Sequence, residues 1–566
     1  MKRFFSSRGL VGVLTLLVIM LAATSLVFAM EGKFKIKTED GDTFRFGAQM
    51  RLIPTWENNW DFGLGTVTVA NPLSALLGRP LEPLAERNFK RHTNEAGEVA
   101  QSYIRTEARL YFSGVDKDKK WDFYSALEFD SAIDQTEVDQ RGRDYGLERL
   151  HGSIAIPGAE NVRFHAGWDI YYLDAVDAGA GFIYGDDDPG IWFTGDFDTF
   201  NFQAGWHKKF ENNFAARDEV QYLEDQAGIE ADNDRDILSA MLTWFVNDDN
   251  ELRFMGVFDS MKTRSESELS DPLSGVVSPL ADPTHPHETP LDPFTDQKGA
   301  DVKTYRLGIL YKGKLGIVEP QVEFAYQGGK AKDIITERGG TLPDQDIQAY
   351  AAFADVAVNL TDMVGWKLIP HVGFMYTSGD DDPNDDNLEG YCGVANAQRF
   401  TPSFGGEDTI IGDTNVVLGT ILYGYLPEFY GNLGGTQQGG VATGGLTNGS
   451  IGGRGDNPGM TMIGGGITIE PLEYLSYRTN FMWFEWNEDF AVINPANPTT
   501  NTAIKSGTAG QQWSNSLRLS LSKHVHIFGN ATWFWPGEAV KDVTEALGNR
   551  SDKVASRYAL ALIWRF

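Results

Sequence analysis

Six arginines and five aspartates are the residues of this chain whose types and spacing carry the most chemistry. Arg45, Arg51, Arg105, Arg109, Arg163 and Arg557 each stand at the polar phase of a two-residue alternation. Asp174, Asp177, Asp186, Asp187 and Asp188 fall in one short stretch after Trp168. If the alternating runs are strands with one wet face, the arginines form a ladder, and a loop holding the acids can stand opposite them. Guanidinium groups facing carboxylates across a water-filled passage set up a transverse field, which orients polar solutes and filters them by size and charge. The same residues have a structural alternative, in which each arginine pairs with a carboxylate on the neighbouring strand. Both uses stay open at this level.

A second acidic run holds Asp380, Asp381, Asp382, Asp385 and Asp386. Dense carboxylates attract hard cations, and Ca²⁺ prefers six to eight oxygens. The spacing does not match a helix-loop-helix calcium site. A solvated acidic loop is therefore the expectation, with loop-bound Ca²⁺ or divalent bridging to lipopolysaccharide phosphates as the alternative. No other cofactor is expected. There are nine His residues but no HExxH and no CxxCH, and the Ser, His and Asp residues form no nucleophilic constellation. His165 and His371 are expected to line the polar face, and the chain is not expected to be an enzyme.

The elements that must position these residues show in the alternation itself. From Ser556 to Phe566, Tyr558, Leu560, Leu562, Trp564 and Phe566 take one phase, and Arg557, Ala559, Ala561, Ile563 and Arg565 take the other. Thr43–Trp56 repeats the pattern, with Phe44, Phe46, Ala48, Met50 and Leu52 against Arg45, Gly47, Gln49 and Arg51. Period-2 alternation with aromatics near the ends suits a strand between lipid and water. Residues 1–29 read as a secretory signal, with Lys2, Arg3 and Arg8, an apolar core from Leu10 to Leu21, and Val27-Phe28-Ala29 at the cleavage site. No later apolar run approaches the roughly 20 residues of a membrane helix, so a chain in the membrane must be a closed barrel. A formal charge of −31 argues against nucleic acid as a partner. The single cysteine, Cys392, rules out a disulfide within the chain.

The segment from Phe34 to Leu52, FKIKTEDGDTFRFGAQMRL, resembles the opening of phosphate-selective-type porins. The hairpin from Tyr103 to Asp130 resembles the one that follows in that family. Thr377–Asp386, TSGDDDPNDD, resembles a strand-to-loop passage of alginate-export-type porins. The final aromatic, Phe566, resembles the last residue of Gram-negative outer-membrane barrels, which the barrel assembly machinery reads. These resemblances imply a single transmembrane β-barrel over residues 30–566.

The strand pattern gives about 18 strands, with 16 the alternative, joined alternately by eight tight turns and nine longer loops. Short periplasmic turns and long external loops are the habit of such barrels. The expected function is an outer-membrane porin, commonly a homotrimer, that lets small polar or ionic solutes diffuse passively. The third loop, Asp174–Gly190, is where many porins fold a constriction inward; if it does so here its aspartates stand in the eyelet, and otherwise the arginines serve only as structural ion pairs between strands. Phosphate selectivity would require an eyelet dominated by Lys and Arg; the mixed signs here lean toward cations or neutral solutes. Two other classes stand beside it. One is a barrel serving as scaffold or sheath for a partner such as a periplasmic cytochrome, which needs a wide lumen. The other is a surface enzyme barrel, which needs a carboxylate/His/Ser cluster at its rim. Outer-membrane lipid and lipopolysaccharide are the expected surroundings.

Overall fold

The computed structural model describes residues 34–59, 62, 66–69, 85–88, 102–133, 145–169, 171–174, 183–186, 189–211, 234–263, 297–336, 343–381, 387–391, 458–493, 501–546 and 548–566. Residues 1–29, read from sequence as a signal, lie outside them. Among the described residues no helix is long and apolar enough to cross a membrane.

Eighteen strands form the wall: β1 (Thr43–Asn58), β2 (Ser102–Val115), β3 (Trp121–Ile133), β4 (Tyr145–Ile156), β5 (Ala159–Trp168), β6 (Gly190–Asp196), β7 (Phe200–Glu211), β8 (Asp234–Asn247), β9 (Asn250–Thr263), β10 (Gln297–Gly313), β11 (Val318–Thr336), β12 (Gln345–Val358), β13 (Lys367–Thr377), β14 (Met460–Leu472), β15 (Leu475–Trp486), β16 (Gly507–Ser520), β17 (Val525–Pro536) and β18 (Ala555–Arg565). Each pairs antiparallel with its chain neighbours, and β18 returns to pair with β1. Every expected strand is present, and eight short turns alternate with nine longer connections. The closed ladder satisfies the backbone of the wall between its strands. Two short strands extend the sheet: Phe34–Lys37 pairs with the start of β1, and Asn387–Leu388 pairs parallel with β12.

The outward phase is apolar. Met50, Leu110, Ile154, Phe193, Leu242, Phe254, Leu307, Phe324, Val372 and Phe481 are all exposed on it. Aromatic groups cluster at both ends. At the long-loop end Trp513 stacks on Trp533 at 5.0 Å, and the Trp533 indole N–H donates to the Tyr558 hydroxyl at 3.0 Å. At the short-turn end Phe44 meets Trp121 and Phe123, and Phe197 stacks on Phe200 at 4.5 Å.

The inward phase departs from the simple pattern. Over β12–β17 it is apolar toward the long loops, where Phe353, Met375, Met460, Met462, Met482, Phe484, Trp486 and Phe534 are buried together, and polar farther down, where Asp355, His371, Asn480 and Thr532 are buried. Met375 lies opposite Met462, and Met462 opposite Phe484, on neighbouring strands. Loop residues supply the cover. Phe62, Tyr391, Ile504, Val540 and Val543 join the same cluster. The last two come from a helix absent from the strand reading, α2 (Glu538–Ala546), in the final loop; one turn, α1 (Thr361–Val364), lies in a tight connection. Covered strand faces need not be polar, because the loops keep water off them.

Candidate functional site

The inner face of β1–β5 has the opposite character. Arg51 of β1 pairs with Glu107 of β2 at 2.9 Å. Arg109 of β2 pairs with Glu128 of β3, the residue directly across the ladder. Arg149 of β4 lies 3.5 Å from Asp169. The Arg163 guanidinium of β5 donates to Asp122 of β3 at 2.5 Å, to Ser153 Oγ and to the Lys119 carbonyl at 2.8 Å. Cations and carboxylates alternate along this wall because antiparallel pairing sets residues of one phase side by side. Several remain open to water: the side chains of Arg51 and Asp122 are 32% and 35% exposed.

His165 extends this wall. Its Nδ1 is 2.9 Å from His151 Nε2, and its Nε2 is 2.8 Å from Thr194 Oγ1. Both imidazoles stack against Trp192. His371 is buried elsewhere, with Nδ1 2.9 Å from Asp355 Oδ1 and Nε2 2.8 Å from the Asn480 side-chain amide. Each satisfies neighbouring polar groups; the His371 side chain, fully buried, does not line water.

The described part of the third loop is folded into the barrel against β6–β11. A hairpin of Tyr171–Tyr172 and Gly185–Asp186 carries Tyr171, Leu173, Ile183 and Tyr184, all buried. The Tyr171 hydroxyl lies 2.7 Å from Ser239 Oγ on β8, and its ring lies 4.1 Å from that of His207 on β7. Arg253 of β9 donates to the Leu173 carbonyl at 2.8 Å. Ile183 fills the space left by Gly308 on β10, where a Cβ would come 2.1 Å from its Cδ1. Burial pushes the Tyr171 phenol up to about 12, so it remains protonated.

Asp174 lies inside this packing, 1% exposed. Its carboxyl accepts the N–H groups of Ile183 at 2.6 Å and Tyr184 at 3.3 Å. Asp186 belongs to the loop hairpin, while Asp177, Asp187 and Asp188 lie outside the described residues. Among the arginines, Arg51, Arg109 and Arg163 share the β1–β5 wall in the ion pairs above. Arg45 is on the same face and exposed near the short turns, Arg105 stands opposite Ile53 in the ladder, and Arg557 is buried on β18. Arg149 belongs with them and the sequence reading missed it; its phase opposite Ala126 was the available signal.

In the second acidic run, Asp380 is buried and accepts the Glu389 N–H at 3.1 Å, and Asp381 is exposed. Asp382, Asp385 and Asp386 lie outside the described residues. Burial, then the carboxylates of Asp381 and Asp489, raise Glu488 nearby. Among the described residues no group of three His, Cys, Asp or Glu side chains is arranged to hold a metal.

No family model matches the sequence, and no curated protein matches it. Among solved structures, the chain is similar to the outer membrane protein OpdK of Pseudomonas aeruginosa, at 8% identity and a TM-score of 0.43, covering 92% of this chain and 98% of that one. It is also similar to a BenF-like porin of Pseudomonas fluorescens, at 8% identity and 0.41, over 92% and 98%. A third is Wzi of Escherichia coli, described as a carbohydrate-binding β-barrel, at 11% identity and 0.39, over 91% and 83%. The strand ladder, not these alignments, defines the barrel.

Proposed function

We propose that this chain is an outer-membrane porin, through which small polar or ionic solutes diffuse down their own gradient. One observation carries the reading. A closed ladder of eighteen strands presents an apolar, aromatic-ended surface outward and a charged, water-reachable wall on β1–β5 inward. A soluble protein has no use for so continuous an apolar exterior, whereas a lipid-embedded barrel requires it. The passage runs along the β1–β5 wall, because loops cover the apolar inner face of β12–β17. On the described wall, arginines and carboxylates pair nearly one to one, which supports weak charge selectivity; the acidic loops lean it toward cations or neutral solutes. The inward third loop speaks against the sheath, which needs a wide lumen.

The same reading places the short turns and both ends of the barrel in the periplasm after removal of residues 1–29. It expects a homotrimer in a lipopolysaccharide-containing membrane, assembled by the machinery that recognises the terminal aromatic strand. Single-channel recording in a planar lipid bilayer tests the function. Stepwise ion currents are the expected result, and a barrel that inserts but stays electrically silent would sink it.

A further inference from the structure

Four of the eight short turns carry large apolar side chains in the open. Leu315 and Ile317 stand between β10 and β11, Met363 on α1 between β12 and β13, Leu472 and Tyr474 between β14 and β15, and Leu521 between β16 and β17. The most open is Met363, at 73%, and the least is Leu521, at 38%. Hydrogen bonds fix their backbones. Leu315 exchanges bonds of 2.7 and 3.2 Å with Val318, Met363 donates to the Leu360 carbonyl at 3.0 Å, and Ser520 donates to the Tyr474 carbonyl at 2.8 Å. The other short turns are mainly polar. Lys117, Asp118, Lys119 and Lys120 are exposed between β2 and β3, and Asn247–Asn250 joins β8 to β9. Phe197, between β6 and β7, is the one large apolar side chain exposed in that set.

At the long-loop end the outward phase turns from apolar to charged. Lys208, Asp236, Ser260, Lys303, Lys330 and Asp346 are consecutive ladder partners across β7–β12, all on that phase. The side chains of Lys303 and Lys330 are 59% and 55% exposed. Charges at this level stand in water and not in hydrocarbon. Just below them Tyr305, Tyr326 and Tyr350 begin the apolar band, as aromatic side chains do at an interface. From Tyr305 to Gly313 the strand rises about 20 Å, at about 3.4 Å per residue and a tilt of about 40°, against an apolar band about 25 Å tall. The stretches from Tyr326 to Val318 on β11 and from Tyr350 to Val358 on β12 have the same length. The ladder here ends before the band is complete, and the turn tips supply the remainder. On β1 the apolar phase runs from Trp56 to Phe44, about 30 Å by the same measure, and needs no turn to complete it.

We propose that the short turns of β10–β17 are seated in the headgroup–acyl boundary of the periplasmic leaflet, with phospholipid covering their apolar tips. An exposed apolar patch of this extent marks a contact surface. The patch is continuous with the lipid-facing wall, since Leu475 and Leu519, ladder partners on the outward phase, adjoin Tyr474 and Leu521. Lys314, Asp362, Glu473 and Lys523 are exposed beside the tips, where headgroups and water receive them. The inference rests on the lipid-embedded barrel of the reading above and not on its conduction. It seats the barrel unevenly. The loop-covered half rests on lipid down to its turns, while Lys117–Lys120, at the foot of the charged β1–β5 wall, project into periplasmic water. The periplasmic mouth of the passage therefore opens on the charged side.

Cys392 is the only cysteine, and C392S removes it. In that background Met363→Cys, Leu472→Cys, Asp118→Cys and Val372→Cys are made singly and labelled with an environment-sensitive fluorophore. Val372, 59% exposed on the outward phase of β13, reports the middle of the wall. Each full-length barrel, checked for the heat-modifiable mobility of a folded barrel, is reconstituted singly in nanodiscs of phosphatidylethanolamine and phosphatidylglycerol. No second copy and no periplasmic protein is then present to cover the turns. Phospholipids carrying a nitroxide near the headgroup should quench the labels at positions 363 and 472, and aqueous iodide should quench them several-fold less than the label at position 118. Iodide quenching at 363 and 472 as strong as at 118, with position 372 still shielded, overturns the inference and leaves the lipid-embedded barrel standing. Iodide quenching at position 372 as well overturns that barrel and the inference with it. Lipid-quenched turns on a barrel that carries no current overturn the porin reading and leave the inference standing.

Discussion

At the scale of single residues, the wall of β1–β5 is where paired charges reach water. The sequence marked its arginines by phase, but it did not reveal their partners. Glu107 sits on the strand beside Arg51, Glu128 on the strand beside Arg109, and Asp122 two strands from Arg163, and only the ladder register brings these pairs together. Pairing neutralises each charge locally, so the field along the passage depends on both members. Arg51→Ala takes the Arg51 guanidinium away from Glu107, 8% exposed at its side chain. The expected cost is about 1–3 kcal/mol of stability, read from urea unfolding. Reversal potentials in a salt gradient should shift toward cations. Glu107→Gln should shift them the opposite way, and the same direction for both variants would contradict the assignment of this wall to the passage. Asp174 teaches a different lesson. Its place after Trp168 suggested an eyelet acid, yet it is folded against the wall and bonded to two backbone N–H groups of its own loop.

At the scale of elements, β18 is the clearest test of facing. Tyr558 and Phe566 are exposed on its outer phase, while Arg557, Ala559 and Ile563 are buried on its inner phase. Ile563, an apolar residue at a polar phase, lies opposite His526 of β17 and Arg51 of β1. Leu560→Lys should cost about 2–4 kcal/mol, since it places a charge in lipid near the midplane. Ala561→Asp, one residue on, should assemble normally and change conductance instead. Folding yield by heat-modifiable gel mobility distinguishes them, and the reverse outcome would mean the register is off by one. On β5, Gly167 adopts φ +121°, and a Cβ there would come 2.0 Å from the Leu150 carbonyl. Gly167→Ala should destabilise the barrel by about 1–3 kcal/mol, visible as a lower urea midpoint. Helix α2 was not legible as strand or turn. Its Ala539, Val540 and Val543 are buried against the hairpin Phe490–Ile493/Asn501–Ile504 and β16, on a surface that exists only once the barrel has closed.

At the scale of the whole molecule, closure is the organising fact. The first and last strands meet over Gln49–Asn58 and Ser556–Arg565, and the Phe566 backbone exchanges hydrogen bonds with Ala48. β18 stops there, which leaves the start of β1 with an open side. Phe34–Lys37 pairs with Thr43–Phe46 and fills it. An uncovered edge is a template for wrong pairing. Deleting residues 34–37 should therefore lower the temperature at which the barrel loses its compact gel mobility and increase aggregation during refolding. An unchanged transition would show that the extra strand does not protect the seam.

By itself the sequence determined the strands, their facing, the short-long alternation of connections and hence the closed barrel. These follow from local periodicity: a lipid-facing strand needs an apolar side chain at every second position, and most short turns interrupt that period with polar residues. It did not determine which inner faces are wet. Met462 and Phe484 occupy the same phase as Arg51 and Glu107, and only loop packing makes one side of the lumen dry and leaves the other open. Loops reach that surface through contacts distant in sequence, and no period in the chain records them. The dry face and the inward seat of Asp174 were therefore decided by the tertiary structure, whereas the barrel around them was already written in the alternation.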